Sequence, residues 1–281
     1  MGRLLRCLAT SGRRPLWIDA TRFSACLLTG GSVPWFDAAG FVAWRRQTQG
    51  LVKSDVVDLT VGPLFAAAVT ADPGLRAAMA GKRRIHIPLK VLLSAEMPRR
   101  QVRELLEGLR GSFTQCALAL VCPSPRAWLQ DAFRLAHGED APPVGEDEVD
   151  SATLYCADFL REFGSSGVDG ILLEETQESE PGSAGEVEWY RSVLNVGAHY
   201  GWDMGWRSVG DRYSDAQVPS FDYCIAPRPL GAECSGIEIA EDYWRGAPMG
   251  NSTADFYFGR VPPGLVPEVV LDRLAQLRSS A

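Results

Sequence analysis

No apolar run in the 281 residues approaches the roughly 20 needed to span a bilayer, and a membrane partner is not expected. The opening stretch MGRLLRCLATSGRR places arginines where a secretory signal carries an uninterrupted apolar segment, so a cytoplasmic protein is expected. The stretch has the Arg-rich, acid-free look of a transit peptide. Because Trp17 already belongs to the first strand pattern, residues 1–14 are instead read as a fraying extension ahead of one domain over 15–281.

Histidine is scarce: His86, His137 and His199 lie far apart. The seven cysteines form no CxxC pair, and their odd number in a chain this long points to reduced thiols rather than a disulfide framework. No zinc motif is readable, and no metal is expected. An excess of basic charge is also missing. The net charge of −7 argues against a nucleic-acid partner, because such affinity rests on Lys and Arg neutralising phosphates. A Gly-rich phosphate turn is absent after the first strand, where Asp19-Ala-Thr-Arg22 stands instead, and the TGG at 29–31 lacks the spacing of a dinucleotide or P-loop fingerprint.

What is present is a regular alternation of short apolar runs with helical patterns. Its clearest unit is ATLYCADFLREFGSSGVDGILLEET, residues 152–176. Cys156, Phe159, Leu160 and Phe163 fall at helical spacing, Gly164 and Gly167 supply a stop, and Ile171 to Leu173 suit a strand buried on both faces. Glu174 and Glu175 end that strand. Further strands are predicted at 15–18, 56–61, 85–93, 117–121, 202–209, 222–226 and 254–259. Helices are predicted after Asp37, after Asp72-Pro73, from Pro98 and from Arg126, then around Val193 and Val196, and at the C-terminus through Val270 and Leu274. Eight strands alternating with helices over about 250 residues predict a single-domain α/β fold, the (β/α)8 TIM barrel, with an open doubly wound sheet as the alternative.

The Pro123-Ser-Pro125 turn, the helix after it, ADFLREFGSSGVDGILLEE and the closing FYFGRVPPGLVPEVVLDRLAQLR together resemble the barrel shared by uroporphyrinogen decarboxylase and cobalamin-independent methionine synthase. The resemblance covers about half the chain. It implies a barrel enzyme acting on a small carboxylated substrate, as a lyase of the decarboxylase type or as a methyltransferase using a corrinoid or folate methyl donor. Methionine synthase-like members hold zinc with His and Cys near the later strands, whereas WDMGWRS offers Trp206 and Arg207 here. The main expectation is therefore a metal-free decarboxylase without cofactor. The alternatives are the methyltransferase and a non-catalytic ligand-binding barrel.

In such barrels chemistry sits where strands end at their carboxyl side. Reading those ends together gives Asp19, Arg22, Thr60, Lys90, Arg126, Glu174, Glu175, Arg207, Asp211, Arg228 and Arg260. Guanidinium groups match carboxylates bidentately, so Arg22, Lys90, Arg126, Arg207, Arg228 and Arg260 are candidates for holding the substrate. Asp19, Glu174 and Glu175 are candidates for proton transfer. Adjacent strand residues point to opposite faces, so only one of the two glutamates can face the mouth, and the sequence does not say which. Cys122, beside the Pro-Ser-Pro turn, is the most site-like thiol, with a small buried hydrophobe as its plainer role. The oligomeric state is not readable.

Overall fold

The computed structural model describes residues 1–10, 12–210, 221–230, 232–250 and 253–279. Its centre is an eight-stranded, all-parallel sheet: β1 (Leu16–Asp19), β2 (Val56–Thr60), β3 (Ala117–Pro123), β4 (Gly170–Glu174), β5 (Asp203–Arg207), β6 (Tyr223–Ala226), β7 (Cys234–Ile239) and β8 (Phe256–Arg260). The ladder runs β1-β8-β7-β6-β5-β4-β3-β2. Between β1 and β2 closure is looser. There Asp55 N–H donates to the Leu16 carbonyl at 2.8 Å, and Ile18 N–H donates to Ser54 Oγ at 2.9 Å.

Eleven α-helices surround the strands among the described residues: α1 (Arg3–Leu8), α2 (Thr21–Leu28), α3 (Ala38–Val52), α4 (Val61–Ala71), α5 (Pro73–Met79), α6 (His86–Ser94), α7 (Glu96–Ser112), α8 (Pro125–His137), α9 (Glu146–Arg161), α10 (Arg191–Tyr200) and α11 (Pro267–Ser279). Local chemistry starts several of them. Asp37 accepts from Gly40 N–H at 3.0 Å ahead of α3, and Asp72 accepts from Gly74 and Leu75 N–H ahead of α5. Ser124 accepts from Ala127 N–H at 3.0 Å ahead of α8, where Pro125 takes a helix position that needs no donor.

Strand alternation sorts the core in two. Ile171 and Leu173, with Val57, Leu59 and Cys122, point outward and pack under the helices, where Phe65, Trp128 and Phe159 meet edge to face. Trp17, Val56, Ala119, Val121, Leu172, Tyr223, Phe256 and Phe258 fill the barrel. Large rings are accommodated by glycines on adjacent strands: a Cβ on Gly205 would meet the Tyr223 ring at 2.1 Å, and one on Gly236 the Phe256 ring at 2.4 Å. Any larger side chain there would displace a buried aromatic ring.

The expectation of a fraying N-terminus is corrected. α1 closes the amino-end floor of the barrel with Leu4, Leu5 and Leu8 packed among the interior side chains. Asp203, the first residue of β5, accepts from Gly2 N–H and Leu5 N–H at 2.9 Å each, satisfying amides that begin a helix without partners. The apolar spacing of Leu4, Leu5 and Leu8 carried that signal, which Arg3 and Arg6 beside them obscured.

Two strand assignments are also corrected. Residues 85–93, expected as the third strand, form α6, because Leu89, Leu92 and Leu93 recur at helical spacing and Pro88 lies in the first turn, where it costs no hydrogen bond. The strand that completes the eight is β7. Its sequence CSGIEI is short, interrupted by glycine and acidic, because its inward positions after Cys234 are the crowded Gly236 and the mouth residue Glu238. No helix among the described residues is long and apolar enough to cross a membrane.

Candidate active site

The mouth at the carboxyl ends of the strands is built by register. β1 and β8 pair Asp19 with Arg260, and β4 and β5 pair Glu174 with Arg207, so all four are inward-facing and level. Arg260 Nε lies 3.4 Å from Asp19 Oδ2, and its Nη2 donates to Glu174 Oε1. Arg207 grips Glu238 with two hydrogen bonds, Nε to Oε2 at 3.0 Å and Nη2 to Oε1 at 2.6 Å, while its Nη1 stands 3.9 Å from Glu174. Both guanidinium groups lie over the Phe258 ring, 5.6 Å from its centroid. The result is an ionic arc, Asp19–Arg260–Glu174–Arg207–Glu238, in which three carboxylates face two guanidiniums.

Asp19 is anchored further by Thr21 N–H, 2.9 Å from Oδ1. Burial alone would raise its pKa, but Arg260, the bonds from Thr21 and the charge of Arg45 outweigh that and hold it below the usual carboxylate value. Arg45 reaches from α3 through the loose β1–β2 seam. Its Nη2 donates to Asp58 Oδ1 at 2.6 Å and to the Asp58 carbonyl at 3.0 Å, and the Trp17 indole N–H completes the Asp58 carboxylate at 3.0 Å. Asp58 lies deeper. Burial raises its pKa despite Arg45, with the Asp19 charge adding to the rise.

A cavity of about 570 Å³ opens between this arc and an apolar wall of Pro63, Phe65, Ala66, Pro123, Trp128 and Leu135. Asp131 and Arg134 from α8 close its side, joined at 2.8 Å. Burial raises the pKa of Asp131 even beside that arginine. Arg22, exposed in the first turn of α2, stands at the rim without an ion-pair partner among the described residues.

Of the residues expected at the site, Asp19, Arg22, Thr60, Glu174, Glu175, Arg207 and Arg260 converge on this one cavity. Glu174 is the glutamate that faces the mouth. Glu175 contributes to the wall but is 2% exposed, and four donors occupy its carboxylate: Ser124 Oγ and Ser179 Oγ at 2.6 Å on one oxygen, Tyr190 Oη at 2.7 Å and Trp206 Nε1 at 3.2 Å on the other. Burial raises its pKa against those bonds. This carboxylate clamps β3, β5 and the loop after β4.

Three expected residues lie elsewhere. Lys90 is on the outer face of α6, its ammonium 5.8 Å from the centre of the Tyr155 ring; it was placed at a strand end only because α6 reads as a strand. Arg126 turns into the helix layer, where Nη2 donates to Glu186 at 2.6 Å, Nη1 donates to the Val144 carbonyl, and the guanidinium covers Trp189. It sits on the first turn of α8, which swings it away from the strand axis. Arg228 borders a separate cavity of about 350 Å³ with Pro229, Tyr243 and Met249. Asp211 lies outside the described residues. Cys122 points outward into the helix layer, and burial drives its thiol pKa well up, so it is a packing residue.

Asp131, Arg134, Glu238, Arg45 and Asp58 escaped the sequence reading. Trp128, Asp131 and Leu135 recur at three- and four-residue spacing on α8, a face that could have been read as leading into the mouth. Glu238 was hidden with its strand. Among the described residues, no group of three or more His, Cys, Asp or Glu side chains is arranged to hold a metal ion.

No protein-family model matches the sequence, and no curated protein sequence matches it. Among solved structures the chain is similar to a methyltransferase from Methanosarcina mazei, at 10% sequence identity, with a TM-score of 0.61, over 99% of this chain and 97% of that one. At that identity the likeness is one of fold: an α/β barrel of eight parallel strands, matched from end to end.

Proposed function

We propose that this barrel is a methyltransferase acting at the mouth on a small carboxylate-bearing molecule. The observation that carries the reading is the division of the cavity into an apolar wall and an arc whose two guanidiniums are both taken up by carboxylates, with Arg22 the cation that has no ion pair among the described residues at the rim. Decarboxylation builds negative charge on carbon and needs an uncommitted cation or electron sink beside it. Arg207 and Arg260, the cations on the strand ends, are already neutralised by Glu238, Glu174 and Asp19, and Arg22, the uncommitted one, stands out at the exposed rim. Methyl transfer asks less of the site: a nucleophile loses its proton, attacks the methyl carbon in line, and the donor heteroatom leaves. The likeness to a methyltransferase supports this choice over the lyase.

In this reading Arg22 holds the substrate carboxylate, and the wall of Phe65, Trp128 and Leu135 seats the apolar part and excludes water. Glu174 accepts the acceptor's proton. Asp19, kept ionised, fixes Arg260, and Arg260 orients Glu174. The described residues offer no ligand set for zinc, so no step is assigned to a metal. A corrinoid donor would have to approach from outside, because a cavity of about 570 Å³ takes a small molecule whole but not a macrocycle.

The test is to incubate the protein with ¹³C-methyl-labelled N-, O- and S-methyl carboxylic acids and a small thiol, and to follow the label by NMR. Appearance of a new methyl resonance supports the proposal. Release of carbon dioxide without label movement would restore the decarboxylase.

A further inference from the structure

Arg22, Arg207 and Arg260 line a second cavity on their other side, of about 400 Å³. Its far wall is Glu241 and Arg245, from the 3-10 turn Glu241–Arg245 after β7, and Pro262-Pro263 after β8. Four arginines and two glutamates surround it. Both glutamates are engaged: Glu238 takes the paired bonds of Arg207, and Glu241 meets Arg245 at 2.6 Å. The acids that balance Arg260, Asp19 and Glu174, line the first cavity and not this one. By its own lining the second chamber has two more arginines than acids, of which Arg260 is paired through the shared wall with Asp19 and Glu174 and Arg22 is left without an ion pair among the described residues, whereas the first has four acids against four arginines.

We infer that this second chamber binds the anionic end, a carboxylate or phosphate, of the second molecule in the transfer, so that donor and acceptor meet over Arg22, Arg207 and Arg260. That the bound anion is a co-substrate rests on the methyl-transfer reading; the anion site itself does not. The Arg245–Glu241 pair is exposed on both sides, and pairs of that kind are held by little, so Arg245 can turn to an incoming anion at small cost. Pro262 and Pro263 fix the opposite wall before a ligand arrives. Arg22 serves both chambers, which makes it the residue that would register occupancy of one in the other.

The experiment is calorimetric titration of the full chain at low ionic strength, with inorganic pyrophosphate and with citrate as probes. Tighter binding of pyrophosphate assigns a phosphate end, and tighter binding of citrate a carboxylate end. The inference predicts one site whose affinity falls roughly tenfold in Arg245→Gln, since a charge-assisted hydrogen bond is lost. Glu241→Gln should instead strengthen binding, because it removes the competing carboxylate. Ala66→Phe, which narrows only the first cavity, should leave the affinity unchanged. Absence of binding to either probe at millimolar concentration would overturn the inference, as would affinity indifferent to both Arg245→Gln and Glu241→Gln, or lowered as much by Ala66→Phe. None of these readouts uses turnover, so the anion site can fail while the methyl-transfer reading stands, and the reverse.

Discussion

Glu174 and Glu175 are consecutive, yet their carboxylates lie on opposite sides of the barrel wall: one pairs with Arg260 over the mouth, the other is sealed beneath the helices by four donors. The strand's two-residue period imposes the split. It assigns the pair two roles, one ionic and accessible to substrate, the other architectural.

Glu175→Ala should therefore destabilise the fold by about 3–5 kcal/mol, because it leaves Ser124, Ser179, Tyr190 and Trp206 with unpaired buried donors. Urea denaturation measures this. A loss below about 1 kcal/mol would mean that the network contributes little beyond what water provides.

Arg22 and Arg126 should behave oppositely. Arg22→Gln, at an exposed and unpaired position, should weaken binding of an acidic ligand roughly tenfold and leave thermal stability unchanged. Arg126→Ala should lower stability, since the Glu186 carboxylate and the Trp189 face lose their cation, with ligand affinity preserved. Paired melting and binding curves for the two variants distinguish them.

The acid limb of stability should depend on Asp19. Its folded-state pKa lies below the unfolded value of 3.8, so the unfolded chain holds this proton more tightly. Its contribution is complete above that value and is lost as the pH falls through the lower, folded one. Asp58 has the reverse sign. Its folded pKa lies above 3.8, so its ionisation costs stability as the pH rises from there through the folded value. Asp19→Asn should flatten the fall on the acid side, and Asp58→Asn should remove the opposing slope. Denaturation curves across the acid range read both.

The floor of the barrel makes a separate prediction. Leu5→Ala should cost about 2–5 kcal/mol, the range for a buried leucine whose cavity cannot collapse, because Leu5 packs among interior side chains rather than on a frayed tail. A neutral result by urea denaturation would restore residues 1–14 as a dispensable extension.

Seven of the eight strands were legible because strands buried on both faces carry dense apolar runs, and the αβ unit ending at Glu174 fixed the mouth end of the barrel. β7 was not legible, since its inward face holds Gly236 and Glu238 where a pattern reader wants valine or leucine. α6 misled for the converse reason: its leucines look alike in either period until their spacing is counted. Charge at strand ends located the mouth through Asp19, Glu174, Arg207 and Arg260, because each is the last residue of its own strand. It could not reveal that Arg207 is committed to Glu238, or that Arg45 crosses a seam to reach Asp58, because those partners are set by the closed barrel.

The most direct test of the central claim, that Glu174 is the working carboxylate of a methyl-transferring mouth, is label transfer by ¹³C-methyl NMR in wild type and in Glu174→Gln. The amide keeps the shape but accepts no proton near neutral pH. The account predicts transfer in the wild type and loss of at least about a hundredfold in Glu174→Gln, within the range for a removed general base, with the fold intact by circular dichroism. Undiminished transfer in Glu174→Gln would contradict it.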